Sequence, residues 1–310
     1  MDNDGIIKWL LSGDVSIQYQ VYRDLLSEER KDLQERIASE GWGKRFLSKR
    51  KPEGHWGQKF YQPKWTSSHY TLLDLRNLFI DPENQLIKDS IEIILENEKG
   101  QDGGIRPIGS IQASDVCING MFLNYASYFR ADEKKLESVV DFLISQHMDD
   151  GGFNCMSNRS GAVHSSLHST ISVLEGITEY AKNSYIYRIN ELISITKAAI
   201  EFILSHKLYI SDRTGEIIKK EFLRLSYPSR WRYDILRALD YFQYSEIPWD
   251  DRMKQAINVL LNKRNRDSTW NLQAKHSGQV HFEMGKPGKP SRWNTLRAMR
   301  VLRFYGIDHI

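Results

Sequence analysis

Cysteine is nearly missing from this chain: among 310 residues only Cys117 and Cys155 carry a thiol. Two thiols build no disulfide framework at this size, so stability has to come from a packed core, and a reducing, cytoplasmic setting is the expectation. Long apolar runs are missing as well. No stretch approaches the roughly 18 to 20 residues that a membrane span requires, and the first residues, Met1-Asp2-Asn3-Asp4-Gly5, lack the basic stretch and apolar core of a secretory signal. Charge of one sign is not in excess either. A formal net charge of +3 is too mild to argue for nucleic acid, and the one basic run, Lys44-Arg45 with Lys49-Arg50-Lys51, reads as a solvated loop. The eight prolines are scattered and no Pro/Ser/Gly-rich linker interrupts the chain, so the expectation is one domain over residues 1–310.

What is there is a helical rhythm that returns six times. Apolar residues at i, i+3 and i+6 begin at Val21, Leu72, Leu123, Ile171, Leu236 and Leu296, at intervals of 51, 51, 48, 65 and 60 residues. Repeats of this length mean stacked supersecondary units, and the first copy (Val21, Asp24, Ser27) is degenerate, as terminal repeats often are. Second helical stretches lie between the copies, over 87–98, 136–147, 195–206 and 253–264, with apolar residues at helical spacing among Lys, Glu and Asp. In three places an apolar anchor follows a leucine by ten residues: Leu95 to Ile105, Leu143 to Phe153 and Leu260 to Trp270. The glycines of Asp102-Gly103-Gly104 and Asp150-Gly151-Gly152 read as helix C-caps, because glycine tolerates the left-handed conformation. Each unit then reads helix, glycine loop, helix.

The first helix of each pair starts with aromatic and polar residues: Tyr19 and Tyr22; Pro63-Lys64-Trp65 with His69; Asp115-Val116-Cys117; His164 and His168; and Pro-Ser-Arg-Trp twice, at 228–231 and 290–293. If six hairpins close into a ring, these helices form an inner wall and bring their positive dipole ends to one mouth. The expected fold is therefore all-α, an α/α toroid or six-hairpin α-α barrel. Trp65, Trp231 and Trp293 read either as packing anchors or as cavity wall, with His69 and Tyr233 beside them as substrate-binding candidates. Ser229, Ser291 and Asp115 read by default as N-caps. Asp115 and Cys117, with His168 one repeat later, break the pattern. An oxygen, a sulfur and a nitrogen donor with a fourth position open form the donor set of a catalytic zinc.

These features resemble the prenyltransferase and squalene-cyclase (terpenoid cyclase-like) superfamily. The loop from Gln146 to Phe153, the Asp115-Val116-Cys117 string and the helix running from His168 to Gly176 are most similar to the β subunits of protein prenyltransferases. The resemblance implies a zinc-dependent transferase, with Zn2+ on Asp115, Cys117 and His168, acting on an isoprenoid or other apolar substrate in a central cavity. It also implies Arg230 and Arg292 as holders of an anionic leaving group, His164 in acid–base chemistry, and a helical partner subunit. The chain departs from the family where basic residues should precede the zinc aspartate, since Gln112 and Gly109 stand there. The Asp-rich acid string of squalene cyclases is absent too.

Three alternatives stay open. A lanthipeptide-cyclase-like zinc site would draw on Cys117, Cys155 and His164 or His168. A carbohydrate-active (α/α)6 enzyme would use the aromatic walls and a pair of acids, Asp115 with Asp234. A non-catalytic toroid would bind an apolar ligand or a protein partner and ask nothing of Cys117.

Overall fold

The apolar rhythm becomes helix at every repeat. A computed structural model of the chain describes residues 3–107 and 113–307, and Gly109 and Gln112 lie outside the described residues. Among those described, the α-helices are α1 (Asn3–Leu11), α2 (Val15–Val21), α3 (Lys31–Arg36), α4 (Gly41–Leu47), α5 (Ser68–Asn77), α6 (Gln85–Asn97), α7 (Val116–Tyr128), α8 (Glu133–Ser145), α9 (Ser157–Ser160), α10 (Leu167–Lys182), α11 (Ile189–Ser205), α12 (Ile235–Tyr244), α13 (Lys254–Asn262) and α14 (Arg292–Phe304). No strand forms among the described residues; there are only isolated bridges such as Lys99 with Ile105 and Arg264 with Trp270. No described helix is long and apolar enough to cross a membrane.

The chain packs as two compact units. The first comprises the residues up to Ser48, Leu78–Asp81 and the residues from Leu204 on; the second comprises Lys49–Asn77 and Pro82–Ile203. Within the second unit, α7 packs between α5 and α10. Every residue of α7 from Ile118 to Tyr128 is buried, as an inner-layer helix requires. α6 and α8 bury a single face: Ile87, Ile91, Ile94 and Leu95 on one, Leu136, Val139, Val140 and Leu143 on the other. Within the first unit α12 and α14 pack together and α2 lies against α14. α2 continues into a π-helical turn, Tyr22–Leu26, and stops at Ser27 with φ 56°. That accounts for the degenerate first repeat, because Val21 is buried, Asp24 is paired with Arg300, and Ser27 ends the helix.

A recurring clamp fixes the loops onto the inner helices. The backbone N–H of Trp56 donates to Ser68 Oγ (3.0 Å), that of Ile105 to Asn119 Oδ1 (2.6 Å), that of Phe153 to Thr170 Oγ1 (3.0 Å) and that of Trp270 to Thr295 Oγ1 (3.0 Å). All four anchors are fully buried, and a buried peptide N–H needs such an acceptor. The anchors expected ten residues after Leu95, Leu143 and Leu260 are three of these four.

Two local expectations are corrected. The glycines do not cap helices: α6 is closed by Glu98 and α8 by Gln146, neither of them left-handed. Gly103 (φ 84°) and Gly151 (φ 92°) instead make the turns that send the chain back to bury its anchor. The two Pro-Ser-Arg-Trp strings are not equivalent either. Ser291 caps α14 by accepting from the Asn294 N–H (3.2 Å), whereas Arg230 sits in a left-handed turn (φ 58°) and α12 is capped later, by Asp234.

Candidate functional site

The segment between α4 and α5 folds back onto the first turn of α5. Trp56 is held by Ser68, and the Phe60 carbonyl accepts from the His69 N–H at 3.0 Å. This encloses the His69 imidazole among four rings: Phe60, Tyr61, Tyr70 and Tyr125, with centroids 4.8 to 5.6 Å away. His69 Nδ1 meets the Tyr125 hydroxyl at 3.2 Å, while Nε2 is buried with no hydrogen-bond partner. Desolvation lowers the imidazole to a pKa of about 3, so it is neutral at ordinary pH. Beside the cage, the Tyr61 and Tyr70 hydroxyls are 3.0 Å apart, and burial raises the half-exposed Tyr61 phenol.

On the other side of Phe60 a cavity of about 670 Å3 opens between this segment and α6. His55, Lys59, Gln62 and Glu98 supply polar lining, and Phe60, Ile93, Ile94 and Pro107 supply apolar lining. Burial raises the Glu98 carboxyl above its ordinary value, against the opposing pull of the Arg106 and Lys59 cations. The Nε of Arg106 is buried without a hydrogen-bond partner. His55 Nδ1 lies 3.4 Å from the Trp56 carbonyl, an acceptor only. A proton on Nδ1 would satisfy that carbonyl and leave the lone pair on Nε2.

The expected zinc ligands lie at the starts of α7 and α10. Asp115 is the N-cap residue of α7 but its side chain makes no capping bond. The Cys117 N–H donates to Cys155 Sγ (3.0 Å), and the interaction between the two thiols raises Cys117 and lowers Cys155. His168 is half-buried in the first turn of α10. Among the described residues no group of three or more His, Cys, Asp or Glu side chains is arranged to hold a metal ion. His164 is exposed, and its carbonyl accepts from Asn154. Trp65 is buried edge-on to Tyr70 at 4.8 Å.

In the first unit the expected site residues are mostly built into the core. Trp293 is 2% exposed and stacked between Tyr227 (4.5 Å) and Trp42 (5.7 Å). Arg292 donates to the Trp9 carbonyl (3.0 Å) and to Ser12 Oγ (3.1 Å), tying the start of α14 to α1. The Tyr233 hydroxyl donates to the Leu208 carbonyl at 2.6 Å. Asp234 is buried, accepting from the Arg237 N–H (2.9 Å) and Ser226 Oγ (3.1 Å), and desolvation raises its carboxyl. Arg230 is buried, and Trp231 is half-buried beside the Arg232 guanidinium at 4.9 Å. His55, Lys59 and Glu98 were missed by the sequence reading. The available signal was Gly54-His55-Trp56-Gly57, one more glycine loop around a buried anchor.

No family model matches the sequence, and no curated protein matches it. Among solved structures, a polysaccharide lyase is similar with a TM-score of 0.54 and 11% identity, over 96% of this chain and 90% of that one. A glycosyl hydrolase family 88 protein from Bacteroides vulgatus is similar with a TM-score of 0.52 and 12% identity, over 94% of this chain and 90% of that one. These likenesses overturn the resemblance to the prenyltransferase and squalene-cyclase superfamily, and with it the reading as an isoprenoid transferase. The misreading has a physical cause: hairpin packing sets the repeat and its glycine loops, and that packing is indifferent to the chemistry a toroid carries. The chain has an all-α, α/α-toroid fold.

Proposed function

We propose that the chain is a carbohydrate-active enzyme that cleaves an acidic polysaccharide by elimination, using the cavity beside Phe60. The observation that carries the reading is the fold shared over nearly the whole chain with a polysaccharide lyase and a glycosyl hydrolase. The cavity favours elimination over hydrolysis. Glycosidases ordinarily need two carboxyl groups flanking the scissile bond, and Glu98 is the one acid among the described residues lining this cavity.

Elimination next to a uronic acid needs a base for the proton beside the carboxylate, a cation to offset the charge that develops, and an acid for the departing glycosidic oxygen. In this reading His55 Nε2 takes the proton, Lys59 neutralises the sugar carboxylate, and Glu98, whose carboxyl burial shifts upward, donates to the leaving oxygen. Phe60 offers an apolar face to a sugar ring.

The test is incubation of the purified chain with uronate-containing and neutral polysaccharides, following ultraviolet absorbance of unsaturated uronyl ends together with reducing ends. Absorbance should rise with the acidic chains alone. His55→Ala and Glu98→Gln should each lower turnover by about 10²–10³-fold, and Lys59→Ala should lower kcat as well as raise KM. Reducing ends without unsaturation would replace elimination by hydrolysis, and no cleavage of any polysaccharide would end the proposal.

A further inference from the structure

Both cysteines of the chain meet in one place. Cys117 lies in the first turn of α7 and Cys155 in the loop before α10, 38 residues further on, yet the Cys117 N–H reaches Cys155 Sγ at 3.0 Å. Ser169 grips the second cysteine twice: its Oγ accepts from the Cys155 N–H (3.0 Å) and donates to Cys155 Sγ (3.3 Å). Neither cysteine is in a disulfide, and both are half-buried. A cysteine that only fills space behaves as a small apolar residue, and such packing does not call for a second sulfur at hydrogen-bond range.

We infer that Cys117 and Cys155 are a reversible dithiol–disulfide pair whose co-reactant is a small-molecule disulfide of the glutathione type. In the first step Cys155 Sγ attacks one sulfur of oxidised glutathione. A mixed disulfide forms, and the released glutathione sulfur takes up the Cys155 proton. Cys117 Sγ then attacks Cys155 Sγ, the protein disulfide forms, and the second glutathione sulfur leaves with the Cys117 proton. Two protein thiols are oxidised and one glutathione disulfide becomes two thiols. Cys155 attacks first because the Cys117 peptide N–H and the Ser169 hydroxyl both point at its sulfur. The new bond staples the loop ahead of α10 to the start of α7.

The inference goes beyond the carbohydrate reading, and its readout is the thiols alone. The full chain is exposed to oxidised glutathione, quenched with iodoacetamide and mapped by mass spectrometry. Folded protein should lose both alkylatable thiols and yield a peptide cross-linked between Cys117 and Cys155. Held together, the two sulfurs should link at least about tenfold faster than in the urea-unfolded chain. Cys117→Ser should stop at one glutathione adduct on Cys155. The inference fails if the wild-type chain keeps both thiols, accumulates adducts without the cross-link, links between chains on a non-reducing gel, or links no faster folded than unfolded.

Discussion

His69 puts a proton-binding group where a proton is unwelcome. Its imidazole is fully enclosed and titrates at about 3, against about 6.5 in an unfolded chain. Above the unfolded value neither state binds the proton and the folded state keeps its full stability. As the pH falls from about 6.5 to about 3 the unfolded chain takes up a proton that the folded chain refuses, so stability drains away, by a few kcal/mol in all. Urea midpoints at pH 7 and pH 4 should therefore fall further for the wild type than for His69→Phe; equal falls would refute this. Asp240 poses the opposite problem, a charge that is needed. It accepts from Arg297 Nε at 3.0 Å and from Arg300, which also holds Asp24, and its side chain is only 14% exposed. Asp240→Asn leaves two mostly buried guanidinium groups short of charge and should cost about 3–5 kcal/mol. A loss under about 1 kcal/mol on chemical denaturation would mean that water screens the cluster.

At the scale of elements, the close approach of α7 and α10 depends on two glycines. A Cβ on Gly120 would sit 2.6 Å from the Ser172 carbonyl oxygen, and one on Gly176 2.4 Å from the Gly120 carbonyl oxygen. Alanine improves helix propensity by about 1 kcal/mol, but these neighbours are backbone atoms of a packed helix that cannot swing aside. Forcing the helices apart costs about 1–3 kcal/mol or more, so Gly176→Ala should destabilise on balance, read as a lower thermal midpoint; a raised midpoint would show that the helices separate freely. The helices themselves were legible in the sequence, because burying one face of a helix imposes the 3.6-residue period seen in α6, α8 and α13. The loop anchors Ile105, Phe153 and Trp270 were legible too. The cap assigned to Gly103 and Gly151 was not, since a left-handed glycine serves a helix end and a loop turn alike. Nor was the difference between the two Pro-Ser-Arg-Trp strings, which share residues but not backbone: Arg230 has φ 58° while Arg292 opens α14.

For the whole molecule, the elimination reading makes a further prediction about pH. Burial raises the Glu98 carboxyl, and the proposed role needs its proton. Turnover on an acidic polysaccharide should decline as the pH rises through that elevated value, and Glu98→Gln should remove this dependence along with most of the rate. An alkaline limb unchanged in the variant would place the acid elsewhere. The sequence by itself determined the class of fold, because apolar periodicity, the roughly fifty-residue repeat and the buried loop anchors are local demands of stacking helices in pairs. It also singled out Asp115, Cys117, His168 and His69 by residue type. Only the tertiary structure decided where these residues sit. Bringing Cys117 to Cys155, enclosing His69 in four rings and setting His55, Lys59 and Glu98 around one cavity all depend on which loop folds over which helix end. Those long-range contacts leave no period in the chain, so residue types and spacing alone could not place these side chains relative to one another.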